Sequence, residues 1–274
     1  MFQYAAGRAL SVRTGLPLML DITHLSSKSH RDYELSAFNI QGRTFRRPGE
    51  GSPDRLTRWA HAIGLRQAPP DPAPIHTEPH YHYDQAFESL DQACVLDGYW
   101  QTERYFRGAA DVIRQEFRPR RMPARVASLE AKLSQPNAIS VHIRRGDYAS
   151  NPEVARFHGL CDLSYYTAAM DRLAKHVPAP VFHIFSDDHA WIQAHFPKQH
   201  QWVLVKDWPG KDAWVDMWLM SRCSHHVIAN SSYSWWGAWL NPSPTKQVIA
   251  PAKWFNDAPH DTSDILPPGW LTQA

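Results

Sequence analysis

The second half of the chain alternates between strand and helix patterns, and this alternation constrains the fold more than any other feature. Short apolar runs typical of buried strands lie at 138–143, 181–185, 202–205, 227–229 and 247–250. Apolar residues at helical spacing fill 124–133, 163–177 (with Asp162 as its N-terminal cap) and 212–222. Strands alternating with helices predict an α/β fold, with a parallel sheet covered by helices on both faces.

The first half has weaker signals. The spacing of apolar residues predicts a helix from residue 2 that ends near Gly15, followed by a strand at 16–20. The proline-rich stretch 67–79 predicts a surface loop. A short buried strand is expected at 94–96, broken by Gly98 and followed by a helix. The change of character at Pro119 to Pro123 predicts two domains, 1–122 and 123–274.

Composition excludes several classes of protein. The 29 basic and 27 acidic residues give a formal net charge of +2, which argues against nucleic acid or an anionic membrane as partner. Three widely spaced cysteines predict neither a disulfide framework nor a zinc site, and favour a reducing compartment. The chain shows no long apolar run and no signal-peptide pattern. We therefore expect a cytoplasmic protein, working at the inner face of a bacterial membrane.

Three of the predicted strands end in polar segments. These segments are 144–147, 186–188 and 230–237. If the strands are parallel neighbours, the three segments converge on one crevice, where ligands bind in such sheets. Each segment also has a simpler interpretation: a solvated arginine pair, an aspartate pair that caps a helix, and a serine-rich capping turn. Trp235, Trp236 and Trp239 are interpreted as core residues.

The residue types suit a nucleotide diphosphate. An arginine fork matches phosphate oxygens in a bidentate way, as Arg144 and Arg145 would. Small hydroxyl residues and backbone amides at a strand-to-helix turn bind anions. A carboxylate accepts hydrogen bonds from the ring and amino nitrogens of guanine. The coincidence of all three at successive strand ends favours a crevice that binds a phosphate and a base.

These segments resemble the α1,2-fucosyltransferases, glycosyltransferase family 11. Residues 142–148 (HIRRGDY) match the H-x-R-R-G-D-Y motif of that family. Further matches, in the family's order, are MFQYA at 1–5, GYWQ at 98–101 with Tyr105 and Phe106, FSDD at 185–188, NSSYSWWGAWL at 230–240 and PAKWF at 251–255.

The resemblance implies a GT-B fold with two Rossmann-like domains and the donor in the C-terminal one. It implies inverting, metal-independent transfer of fucose from GDP-fucose to the 2-hydroxyl of a galactoside in a glycan, without a cofactor. Arg144 would grip the β-phosphate and stabilise the leaving charge. His142 and Asp187 would face guanine. The remaining implied donor-binding residues are Arg145, Asp188, Asn230, Ser231, Ser232 and Ser234.

Catalysis of an inverting transfer needs a base near the acceptor hydroxyl. Asp147 is the candidate because it is closest in sequence to the arginines; its alternative role is a salt bridge that only orients them. Glu103 is a second candidate for the base. On the acceptor side the resemblance points to Gln3, Tyr99, Trp100 and Glu103.

The chain departs from the family pattern at its start. The G-x-G-N-Q that precedes M-F-Q-Y-A in the family is missing, and a helix at residue 2 has no cap before it, so a truncated start is expected. The alternatives are a transferase for another GDP-sugar and an inactive protein that binds GDP or a glycan. His76, His80 and His82 have ligand-like spacing, but their proline-rich surroundings argue against a metal.

Overall fold

The computed structural model describes residues 1–25, 33–47, 73–146, 151–206, 212–256 and 261–274. The chain divides into two compact units. The first comprises Met1–Arg120 and Asp261–Ile265, and the second comprises Arg121–His260 and Leu266–Ala274.

The first unit combines helices with two short parallel sheets. Its elements are α1 (Phe2–Thr14), β1 (Met19–Asp21), β2 (Arg43–Phe45), β3 (Ile75–Thr77), β4 (Val95–Asp97) and α2 (Ala110–Glu116). Short 3₁₀ turns lie at Leu35–Ala37, Gln85–Ser89, Glu103–Tyr105 and Arg107–Ala109. Strand β1 pairs with β2, and β3 pairs with β4.

Helix α1 confirms the prediction for the start of the chain, and it ends at Gly15 in the left-handed conformation (φ 74°). The buried Glu116 at the end of α2 fastens it: its carboxylate accepts from the Tyr4 hydroxyl at 2.5 Å and pairs with Arg8 at 2.8 Å. The expected strand at 16–20 begins later, at Met19.

Two predictions for the segment around Gly98 are confirmed only in part. Strand β4 is present but partly exposed rather than buried, because it belongs to a two-stranded sheet. The helix expected after Gly98, α2, is present only from Ala110 onward, and 3₁₀ turns occupy the residues before it. There the Thr102 side chain caps the first turn by accepting from the Arg104 amide, and Phe106 has a non-helical φ of −135°.

The second unit is a parallel α/β layer structure. Its helices are α3 (Ala124–Leu133), α4 (Pro152–His158), α5 (Leu163–Ala174), α6 (His189–His195), α7 (Trp214–Arg222) and α8 (Ser232–Leu240). Its strands are β5 (Ala138–Ile143), β6 (Val181–Ser186), β7 (Trp202–Leu204), β8 (His225–Val227), β9 (Val248–Pro251) and β10 (Leu271–Gln273).

The six strands form one sheet in the order β10-β9-β8-β5-β6-β7, and every neighbouring pair is parallel. The predicted α/β class and parallel sheet are confirmed. Strand β8 begins two residues before the predicted start at Val227, and the edge strand β10 was not predicted. Within the described ranges, no helix has both the length and the apolar composition needed to cross a membrane.

The two faces of the sheet have different packing. Ile139, Val141 and Ile143 of β5 join an apolar core with α5, which Asp162 caps as predicted. On the other face, the His142 ring of β5 lies 5.6 Å from that of Tyr233 in α8. The tryptophans of α8 are buried: Trp235, Trp236 and Trp239 are each at most 2% exposed. Their interpretation as core residues is confirmed.

A polar triad is buried within this second face. Ser140 of β5 lies opposite His226 of β8, and its hydroxyl is 2.8 Å from Nδ1 of that ring. Nε2 of His226 accepts from the Asn241 amide at 3.0 Å, so Nδ1 carries the proton. Burial lowers the pKa of His226 well below its ordinary value.

This triad predicts acid sensitivity. In the unfolded chain His226 takes up a proton below about pH 6.5, whereas the folded protein keeps the ring neutral. The free energy of unfolding should therefore decrease below that pH by up to about 1.4 kcal/mol per pH unit from this group. Urea unfolding of the wild type and of His226→Gln between pH 7 and 5 measures the effect. Equal pH slopes in the two proteins would contradict it.

Candidate donor site

Strand β5 lies between β6 and β8, and all three are parallel, so their carboxyl ends meet at one edge of the sheet. This confirms that the three polar segments converge. The loop after β5 provides the arginine pair, the loop after β6 the aspartate pair, and the turn from β8 into α8 the serines.

The aspartates hold the arginine loop. Asp187 accepts from the Arg145 backbone amide at 2.9 Å and pairs through its other oxygen with Nη1 of Arg144 at 2.7 Å. Asp188 contacts Nε of Arg145 at 3.3 Å. Since these side chains are partly exposed, the ion pairs add little stability and act mainly by fixing orientation.

Gly146 is needed for this grip. A Cβ at residue 146 would lie 2.6 Å from Oδ2 of Asp187, closer than real contacts allow. The carboxylate could then no longer keep its place beside Arg144. The lack of space for a Cβ therefore explains the glycine within the R-R-G-D segment.

The two arginines have different surroundings. The guanidinium of Arg145 lies 3.8 Å from the ring centre of Trp191, in addition to its contact with Asp188. The side chain of Arg144 is 34% exposed. Asp188 also caps α6 by accepting from the Trp191 amide at 3.0 Å, which is the simpler interpretation of this residue. Arg145 is thus fixed between protein groups, whereas Arg144 reaches solvent.

His142 lies one residue before the end of β5 and is 6% exposed. Its Nδ1 has no hydrogen-bond partner among the described residues. Burial lowers the pKa of His142 to about 4, so the ring is neutral near pH 7. Because a buried polar atom without a partner is costly, this nitrogen suits a ligand.

In the segment after β8, the side chains of Asn230 and Ser234 form hydrogen bonds within the second unit. The buried Asn230 donates from its amide to the carbonyls of His158 (2.7 Å), Trp254 (3.2 Å) and Gly159 (3.3 Å), so it connects three segments of the unit. Ser234 is fully buried, and its hydroxyl donates to the Ser231 carbonyl at 3.2 Å.

Ser231 and Ser232 lie at the amino end of α8. Ser231 is the N-cap residue, and Ser232 is exposed in the first turn. Backbone amides at a helix amino end attract anions. Phosphate contact by these two serines therefore stays a prediction, and their place at the helix end is compatible with it.

Asp216, in the first turn of α7, was not among the residues predicted from the sequence. Burial raises its pKa to about 6, opposed by the charge of His189. The Tyr233 hydroxyl accepts from the Met217 amide at 2.9 Å, and the Tyr233 ring lies 5.6 Å from that of His142. Asp216 therefore belongs to the same edge. An acidic residue within the apolar run 214–220 was the available signal.

The acceptor-side predictions fall in the first unit. Glu103 pairs with Arg107 at 3.1 Å, and its side chain is only 16% exposed. Gln3 donates to the Gly98 carbonyl at 2.8 Å. Trp100 is fully buried, whereas Tyr99 is 60% exposed. Asp147, the predicted base, lies outside the described residues.

The histidines with ligand-like spacing make other contacts. His76 lies 2.9 Å from an Asp84 oxygen, and His80 stacks on His82 with ring centres 3.4 Å apart. Among the described residues there is no group of three side chains placed to hold a metal ion.

A family model described as glycosyl transferase family 11 matches residues 84–274. The chain belongs to glycosyltransferase family 11. The resemblance found in its motifs is thereby confirmed. An α-1,2-colitosyltransferase of Escherichia coli is 33% identical to it over 278 residues, which cover 99% of this chain and 93% of that relative.

Other members of the family match shorter stretches. The E. coli O-antigen biosynthesis glycosyltransferase WbnK is 40% identical over 49% of this chain and 44% of its own length. Human galactoside α-(1,2)-fucosyltransferase 1 is 30% identical over 37% of this chain and 28% of its own length.

Two solved structures align with the glycosyltransferase at low similarity. POFUT1 in its apo form has a TM-score of 0.45 and 11% identity, over 90% of this chain and 92% of that one. The fucosyltransferase NodZ from Bradyrhizobium has a TM-score of 0.43 and 17% identity, over 88% of this chain and 87% of that one.

Proposed function

We propose that this glycosyltransferase moves fucose from GDP-fucose to the 2-hydroxyl of a galactoside in a glycan, with inversion. The observation that carries the proposal is Arg144, at the carboxyl end of β5, partly exposed and oriented by Asp187. Arg144 follows two positions after His142 of β5, whose Nδ1 has no hydrogen-bond partner among the described residues. Together they suit a diphosphate joined to a base.

In this proposal Arg144 acts on the leaving group. As the bond between the sugar and the diphosphate breaks, negative charge grows on the β-phosphate. A guanidinium held in place before the reaction stabilises that charge in the transition state more than in the ground state. The amino end of α8, with Ser231 and Ser232, would hold the other phosphate oxygens.

The acceptor hydroxyl attacks the sugar carbon from the face opposite GDP, and its proton must go to a base. Asp147 stays the proposed base, since it follows the arginine loop directly. Glu103, the other residue considered for this role, is paired with Arg107, which favours a structural task.

Guanine recognition is assigned here to His142 and Asp216 rather than to Asp187. Both oxygens of Asp187 are already engaged by Arg144 and Arg145. Asp216, whose pKa burial raises to about 6, directly precedes Met217, whose amide donates to the Tyr233 hydroxyl beside the His142 ring. Its carboxylate would accept from N1 and the amino group of guanine.

This assignment predicts a loss of base selectivity in Asp216→Asn. The wild type should bind GDP about 10–100-fold more tightly than IDP, which lacks the amino group, whereas the variant should bind the two alike. GDP affinity of the wild type should also decrease below about pH 6, where Asp216 takes up a proton. Calorimetry measures both effects, with Asp111→Asn, an exposed aspartate of the first unit, as control. Unchanged selectivity in Asp216→Asn would refute the assignment.

Direct assay tests the proposed transfer. The purified chain is mixed with GDP-fucose and lactose, and the product linkage is read by NMR; an α1,2-linked fucose is expected. GDP-mannose should be inactive. GDP binding without any transfer or donor hydrolysis would instead indicate a binding protein.

A second donor is favoured by one observation. The relative aligned over nearly the whole chain is an α-1,2-colitosyltransferase. Colitose is the 3-deoxy counterpart of fucose, so one pocket can admit both sugars. Comparing kcat/KM for GDP-colitose and GDP-fucose identifies the donor; a preference of tenfold or more for GDP-colitose would transfer the proposal to that sugar.

A further inference from the structure

The turn Gly98-Tyr99-Trp100 in the first unit is held by an unusual set of contacts. The Glu78 carboxylate accepts from the Tyr99 amide at 2.7 Å and from the Trp100 amide at 3.0 Å. Gln3 binds the Gly98 carbonyl from the other side. A Cβ on Gly98 would lie 2.4 Å from that of Glu78, so only glycine fits there.

Trp100 has a strained backbone. Its φ of 58° lies in the left-handed region, which a bulky side chain rarely adopts. The side chain is fully buried and packs on Tyr105, Phe87 and His76, with ring centres 5.0 to 5.8 Å apart. Strain of this kind persists where the surroundings enforce it, and such positions cluster at functional sites.

The residue that this turn presents outward is Tyr99. Its side chain is 60% exposed, although it is a large aromatic. The ring lies nearly parallel to that of Tyr81, at 11° with centres 5.9 Å apart. The turn therefore presents Tyr99 to solvent, with the partly buried Tyr81 ring stacked beside it. We call Tyr81 and Tyr99 the tyrosine pair.

We propose that the tyrosine pair is a stacking site for the galactose ring of the acceptor, and that Glu78 is the residue that positions it. The inference rests on the proposed function for the identity of the sugar. In galactose the axial 4-hydroxyl leaves the hydrogens on carbons 3, 4 and 5 on one face. That apolar face lies flat on an aromatic ring, while the 2-hydroxyl stays at the ring edge.

Charge around the tyrosine pair favours a neutral sugar. Glu78 lies beneath the turn, and Asp97, directly before Gly98, is exposed. Two carboxyl groups disfavour a phosphate or an anionic sugar there. Tyrosine also suits the task because it loses little rotamer freedom when it binds.

Binding can be tested apart from transfer. Saturation-transfer NMR with methyl β-D-galactoside and the wild-type chain should give the strongest signals on hydrogens 3, 4 and 5, and Tyr99→Ala should abolish them. Tyr99→Phe should keep them. The control is Ile75→Ala, since Ile75 in the same unit is 66% exposed. Equal signals in wild type and Tyr99→Ala would overturn the inference.

Kinetics give an independent readout. Tyr99→Ala should raise the acceptor KM about tenfold or more, a size typical of one lost aromatic stacking contact. Its kcat, donor KM and donor hydrolysis should be unchanged. If no fucose is transferred at all, the proposed function fails, but the NMR result still decides the sugar site. An unchanged acceptor KM in an active Tyr99→Ala enzyme refutes the site alone.

A double-mutant cycle tests Glu78. Glu78→Ala should raise the acceptor KM as Tyr99→Ala does, and the double variant should be no worse than either single one, because both remove the same contact. Glu78→Gln keeps an acceptor oxygen and should restore most of the affinity. Additive effects on KM, or no rescue by glutamine, would show that Glu78 does not act through Tyr99.

Discussion

Arg144→Lys should lower kcat by about 10²–10³-fold, the size of effect seen when one preorganised charge donor is removed. Lysine keeps the positive charge and can still pair with Asp187, so folding should be unaffected. It lacks the planar fork that holds two phosphate oxygens at once. The loss should therefore appear in kcat and in the affinity for GDP, whose β-phosphate carries the full negative charge, with little change in the donor KM. Steady-state kinetics and GDP calorimetry measure these quantities.

Arg145→Lys is the matched control. Arg145 is held by Asp188 and by the Trp191 ring, where lysine cannot reproduce the flat contact. We expect a weaker donor affinity and a kcat within about tenfold of the wild type, well short of the transition-state loss at Arg144. If the two variants lose kcat equally, the distinction between a catalytic and a supporting arginine is wrong.

Asn230→Ala should destabilise the second unit by about 3 kcal/mol. The substitution leaves the carbonyls of His158, Gly159 and Trp254 without their shared donor in a buried place. Each unsatisfied buried group costs about 1–3 kcal/mol, partly relieved by relaxation. Chemical unfolding at pH 7 measures the change.

Ser232→Ala tests the neighbouring helix end as control, because Ser232 is exposed in the first turn of α8. It should leave stability within about 0.5 kcal/mol of the wild type while weakening GDP binding. If the Asn230→Ala protein is fully stable but has lost GDP affinity, Asn230 contacts the nucleotide directly and its structural role is wrong.

Much of the second unit could be predicted because its signals are local. Runs such as 138–143 and 181–185 are continuous and apolar, and the polarity after each run marks the strand end. Parallel pairing then brings the ends together without knowledge of side-chain contacts. The family motifs indicated which reaction such a site would serve.

The interactions that could not be predicted link residues far apart in sequence. Asp187 meets Arg145 across 42 positions, and Glu78 meets Tyr99 across 21. The spacing of apolar residues along the chain gives no signal for such pairs. Asp216 was not predicted because its apolar neighbours indicate only a helix that packs in the core. The burial that raises its pKa depends on the folded structure. The helix expected after Gly98 begins late, at Ala110, because the Thr102 side chain caps a 3₁₀ turn first.

In the proposed donor site, the carboxylate of Asp187 would also exclude small anions before any donor binds. One oxygen of Asp187 is already paired with Arg144. An incoming anion must therefore compete with this carboxylate, which is part of the protein, for the guanidinium. Chloride or free phosphate at cellular levels offers a single weak contact and competes poorly. A nucleotide diphosphate brings base and ribose contacts as well, and these offset the exchange. Arg144 would thus stay available to the donor in a solution that contains chloride and phosphate.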